Sequence, residues 1–173
     1  MLQPKSKLEK DTSELLEIEA IKRLKYKYLR CVDMKLWDEM ATVFTPEATC
    51  SYSAGTYSYE GRDEIIAWLK KGMDRDGFHS SHSVHHPEIA LTGPDTATGI
   101  WALEDIVVDT DHDIQISGAA FYQDRYEKHD GIWLIEHTGY DRVFEQIESR
   151  RDRPSLKLTA SMWTTGGASE IKA

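Results

Sequence analysis

Four long strand-like stretches follow one another in the second half of this chain, and they limit what it can fold into more than any other feature. They are His82 to Leu91, Thr96 to Asp109, Ile114 to Lys128 and Ile132 to Ile147. The joints Gly93-Pro94-Asp95, Asp111-His112-Asp113 and His129-Asp130-Gly131 are turn-like and far too short for a crossover, so neighbouring strands must run antiparallel as a meander. Gly99, Gly118 and Gly139 interrupt three of the stretches, as bends and bulges do in a strongly coiled sheet.

The first half reads differently. Between Glu14 and Val32 the residues Leu15, Ile18, Ile21, Leu24, Tyr28 and Cys31 recur at intervals of three and four, the spacing of one helical face. Asp11, three residues before Glu14, resembles a capping box, which sets the helix start near Thr12. A short helix is expected over Trp37 to Phe44, ended by Thr45-Pro46. A β-hairpin is expected over Thr49 to Gly61, and a third helix over Arg62 to Met73. Helices first and a sheet afterwards define an α+β chain. A curved, mostly antiparallel sheet closed by N-terminal helices makes a cone-shaped α+β barrel with a natural ligand cavity. The expected organisation is a flexible leader over 1–10 and a single domain over 11–173.

Composition narrows the function. A net charge of -9 argues against nucleic-acid and anionic-membrane partners. Cys31 and Cys50 match no zinc or C-x-x-C spacing and read as free thiols. The N-terminus has no signal-peptide core and no apolar run reaches membrane-span length, which makes a cytoplasmic location the default expectation. G-x-S-x-G, P-loop and G-x-G-x-x-G patterns are missing from the sequence.

The chemistry concentrates around HSSHSVHHPEIAL, which carries four histidines between His79 and His86. Counting by twos from Ile89 and Leu91 puts His85 on the core face and sends His82 and His86 outward with Glu88. Pro87 marks the place where a bulge would shift that register. The same alternation splits the rings between two faces and argues against a shared metal ion. Tyr28 lies on the buried helix stripe, and a buried phenol needs a partner. Asp33 stands at the negative end of the same helix, where a histidine would be a favourable neighbour. Glu104 and Asp105 sit mid-strand with apolar residues on both faces, so one of them must be desolvated, either as a functional carboxylate or in a salt bridge to Arg125 or Arg142.

The stretches YLRCVD, KLWDE, SYS, HSVHHPEI, TATGIWALED, GAAFYQDRYEKHDGIW, TGYDR and RDRPSLKLT, spread from Ile18 to Thr159, resemble the SnoaL-like branch of the nuclear-transport-factor-2-like cone folds. Within it they resemble the bacterial bile acid 7α-dehydratases. His86 departs from that pattern, as do the loop from Asp74 to Ser81 and the hairpin. The resemblance implies a catalytic set of Tyr28, Asp33, His85, Asp105 and Arg142. It also implies cofactor-free elimination of water from a 3-oxo-4-ene steroid bearing a 7α-hydroxyl, free or as a coenzyme A thioester. Such a reaction needs a base, an acid for the leaving hydroxide and donors for the dienolate oxygen. A related lyase acting on another cyclic alcohol or a halogenated ring would keep the pair of Asp33 and His85, with His85 as the expected proton-transfer group. A non-catalytic binding module of the same fold would not depend on it. If Asp105 looks inward, a second apolar row on the central strands, Ile100, Ala102, Ile106 and Val108, is expected to be buried against another copy of the chain; the resemblance implies a homotrimer, with a dimer as the lesser alternative.

Overall fold

A computed structural model describes residues 6–171. The long helix α1 (Lys7–Asp33) is followed by α2 (Trp37–Ala41), the strands β1 (Phe44–Tyr52) and β2 (Tyr57–Glu60), and α3 (Arg62–Met73). The meander β3 (Phe78–Leu91), β4 (Thr96–Asp109), β5 (Ile114–His129) and β6 (Ile132–Ser149) completes the sheet. The six strands lie in the order β2-β1-β6-β5-β4-β3. All pairs are antiparallel except β1 with β6, which run parallel. Helices packed on this sheet make the expected α+β architecture. No described helix is long and apolar enough to cross a membrane.

Several boundaries differ from the sequence reading. Helix α1 starts at Lys7 because Ser6, not Asp11, provides the cap. The Ser6 hydroxyl accepts from the Glu9 amide while the Glu9 carboxylate accepts from the Ser6 amide. Residues 7–10 of the expected leader are therefore helical, and residues 1–5 lie outside the described residues. Helix α2 ends at Ala41, and Phe44 already belongs to β1, because its backbone pairs with Ile135 of β6. Strand β3 begins four residues before His82, at Phe78.

The core lies between α1 and the concave face of the sheet, with Ile21, Trp101, Leu103 and Ile135 almost wholly enclosed. A charge is buried there too. The Lys25 ammonium, with no solvent exposure, pairs with Asp124 at 2.8 Å. Asp124 also accepts hydrogen bonds from Tyr126 (2.6 Å) and Thr138 (2.8 Å), and Trp101 donates to the Tyr126 hydroxyl. An enclosed ion pair holds only if its remaining hydrogen-bonding capacity is filled, as here. The Lys25 Nζ lies 3.4 Å from the centroid of Tyr122, which places this network directly under an aromatic wall of the cavity described next.

Candidate active site

The concave face holds an open-mouthed cavity of about 160 Å³. At one side stands Asp33, the last residue of α1. Its carboxylate accepts three hydrogen bonds from the start of β3: from the His82 ring through Nδ1 (2.6 Å), from the His82 backbone amide (2.9 Å) and from the Ser80 hydroxyl (2.8 Å). Burial pushes the Asp33 carboxyl up, but the His82 ring, its amide and Ser80 more than offset this and hold it below the ordinary value. Because a carboxylate only accepts, Nδ1 carries the proton. The neutral ring then has its lone pair on Nε2, which makes no hydrogen bond among the described residues. His82 lines the cavity.

The expectation that His85 is the inward histidine is corrected. His85 is 46% exposed in its side chain, faces the outer surface, and its Nε2 lies 4.0 Å from Glu104. The cause is a bulge. His85 pairs with Ala102 and Glu88 with Ile100, so His86 and Pro87 together stand opposite Trp101, and His86 adopts a positive φ of 37°. One extra residue reverses the parity of everything upstream. Phe78, Ser80, His82 and Val84 consequently share the inner face with Ile89 and Leu91. Counting from Phe78 instead of Ile89 would have found His82, and Pro87 was the signal that the two counts disagree.

His82 lies directly across from Asp105 on β4. Of the two mid-strand carboxylates, Asp105 is the enclosed one, with 4% exposure, while Glu104 points out. Arg142 grips Asp105 with both terminal nitrogens, one of them at 3.0 Å. The two residues sit on β4 and β6, with β5 between them, so the guanidinium must pass over a strand. Gly118 of β5, paired with Asp105, makes this possible: a Cβ there would lie 2.9 Å from Arg142 Nη1 and 2.7 Å from the Phe144 carbonyl oxygen. A bulge between Ala119 and Ala120 shifts β6 into register for the reach.

The remaining polar wall is phenolic. Tyr28, as expected, is buried, and it lines the cavity; its hydroxyl lies 2.9 Å from that of Tyr52, and its ring meets that of Tyr122 edge-on, 6.3 Å between centroids. Burial, above all, pushes all three phenols well above their ordinary range, so they act as neutral hydrogen-bond donors. Tyr52 was not singled out from the sequence, although it is the aromatic residue of the SYS stretch. Trp68, Leu69 and Met73 of α3 supply the apolar side. The structure thus brings Tyr28, Asp105 and Arg142 around one cavity, adds His82 and Tyr52, holds Asp33 behind His82, and leaves His85 outside. Among the described residues, no three His, Cys, Asp or Glu side chains converge as a metal site would require. Cys31 and Cys50 are buried free thiols.

Residues 13–139 match the SnoaL-like domain, and the chain belongs to that family. Among solved structures, a candidate scytalone dehydratase from Novosphingobium aromaticivorans superposes with a TM-score of 0.73 at 21% identity. That alignment covers 92% of this chain and 99% of the other. The hexachlorocyclohexane dehydrochlorinase LinA-type3 from Novosphingobium barchaimii gives 0.72 at 19% identity, over 80% and 94% of the two chains. ActVI-ORFA from Streptomyces coelicolor gives 0.62 at 15% identity, over 73% and 96%. Identities this low establish a shared cone fold and nothing finer.

Proposed function

We propose that the protein is a carbon-oxygen lyase of the bile acid 7α-dehydratase type. It would eliminate water from a 7α-hydroxylated 3-oxo-4-ene steroid by acid/base catalysis, with no cofactor. The observation that carries this reading is the Asp33–His82 pair, which presents an Nε2 with no hydrogen-bond partner among the described residues to an open-mouthed cavity. In such a substrate the enone makes the C6 proton acidic through the double bond. His82 Nε2 takes that proton, and Asp33 stabilises the imidazolium that forms. The C6–H electron pair moves into the dienolate. As the dienolate collapses, the C7–O bond breaks, and the departing hydroxide takes a proton to leave as water. His82 is positioned to return its own proton in that step. The phenols of Tyr28 and Tyr52 serve as donors to oxygen where negative charge develops. Asp105, fixed by Arg142, orients the hydroxyl across the cavity from them.

One observation favours a second reading. A cavity of about 160 Å³ is small beside the roughly 300 Å³ and more that drug-sized ligands occupy. A smaller cyclic alcohol or halogenated ring would fit it whole, and the same base would remove a proton beside the leaving group. Incubation with 7α-hydroxy-3-oxo-4-ene steroids, followed by diene absorbance, tests the first reading. Halide release from chlorinated cyclohexanes tests the second. Steroid turnover lost in both His82→Ala and Tyr28→Phe supports the proposal; full activity in both moves the protein to the binding-module class.

A further inference from the structure

The catalytic cavity has a second chamber beside it. A groove of about 470 Å³ runs between α3 and the β1–β2 hairpin, and it shares Trp68, Leu69 and Met73 with the cavity. Trp68 stacks on three tyrosines at once: Tyr52 (5.5 Å between centroids), Tyr57 (5.4 Å) and Tyr59 (5.1 Å), all with rings within 30° of parallel. Tyr52 and Tyr57 are cross-strand partners, so the layer is continuous from the phenol cluster of the cavity to the outer end of the groove. Lys71 lines that groove and has no ion-pair partner among the described residues.

We propose that this groove is a substrate subsite. It would receive an apolar arm extending from the reacting ring and ending in a carboxylate that meets Lys71. The inference rests on the steroid reading above and resolves its size problem, since only the reacting end need enter the smaller cavity. The aromatic plates cover carbon surface, and one lysine, with no arginine fork beside it, suits a monoanion better than a phosphate.

Gly72 offers a clean test. It lies in α3 on the groove wall, and a Cβ built on it meets nothing within 4 Å. Replacing a helical glycine costs the helix nothing, so Gly72→Trp fills the groove without threatening the fold. Binding of three probes is measured directly by calorimetry: a 3-oxo-4-ene steroid whose side chain ends in a carboxylate, its methyl ester, and the nucleus without a side chain. Gly72→Trp should weaken both arm-bearing probes at least about 10-fold and leave the bare nucleus unchanged. Lys71→Ala should weaken only the acid, by about 3- to 5-fold, the range of an exposed charge pair. If Gly72→Trp affects all three probes alike, or none, the groove proposal falls while the steroid reading stands. If wild type binds no probe, both fall together.

Discussion

Asp33 holds His82 at two points, ring and backbone, across 2.6 and 2.9 Å. This double grip fixes the tautomer and aim of the imidazole before any substrate arrives. His82→Ala and Asp33→Asn should each lower turnover by roughly 100-fold or more, the usual size of a lost acid/base group. His85→Ala, on the outer surface, should stay within about twofold of wild type. Because Ser80 is one of the groups that hold the Asp33 carboxyl below its ordinary value, Ser80→Ala should raise it and move the Asp33-dependent loss of activity in acid toward higher pH. Steady-state kinetics across pH checks all three outcomes.

Gly118 leaves the gap through which Arg142 reaches Asp105. Gly118→Ala should force the guanidinium or β6 to move, costing about 1–3 kcal/mol of stability as overpacking does. Turnover should fall about 10-fold or more as Asp105 loses its orientation. Thermal melts and kinetics on the one variant measure both effects. An unchanged melting temperature with full activity would show that the strands absorb the methyl group.

The buried pair of Lys25 and Asp124 predicts a strongly non-additive cycle. Lys25→Met alone strands a carboxylate in the core and should cost about 3–5 kcal/mol. Combining it with Asp124→Asn keeps the Tyr126 and Thr138 partners and should recover most of that loss. Chemical denaturation of the two single variants and the double variant gives the coupling energy.

Asp109 gives a pH signature of stability. The Arg75 guanidinium first, then His112, hold its carboxyl far below the ordinary range despite burial. A group with a depressed folded pKa contributes stability that is complete above its unfolded value, about 3.9, and is lost as pH falls toward the folded value. The stability gap between wild type and Asp109→Asn should therefore be constant from neutral pH down to about pH 5. It should shrink between about pH 4 and pH 2. A gap that is flat through that acid window would refute the assignment.

The outer face of the sheet exposes Ile100 (42%), Ile106 (49%), Phe121 (46%) and Phe144 (54%) from three adjacent strands. Exposed large apolar side chains on neighbouring strands favour association, and we propose a homotrimer packed through this face. Light scattering should give about three times 19.8 kDa. Phe144→Glu should shift it toward the single chain, and a 19.8 kDa particle for wild type would refute the assembly.

The sequence by itself determined the α+β class, the bounds of α3 and β4, and the antiparallel meander, because hydrophobic period and turn residues act over a few neighbouring positions. It also marked Tyr28 and Asp33 by their places on the first helix, and left Glu104 or Asp105 and Arg125 or Arg142 as alternatives that only the family resemblance narrowed to Asp105 and Arg142. The identity of the inward histidine was decided only in three dimensions. Strand parity is reversed by one bulged residue, and whether Pro87 creates that bulge depends on β4 pairing across it. The same holds for β1 running parallel to β6 and for Lys25 meeting Asp124, contacts between positions about a hundred residues apart that no local pattern announces. The reach of Arg142 past Gly118 belongs there too: the sequence shows a glycine, but only the stacked register of three strands turns its missing side chain into the path of a guanidinium.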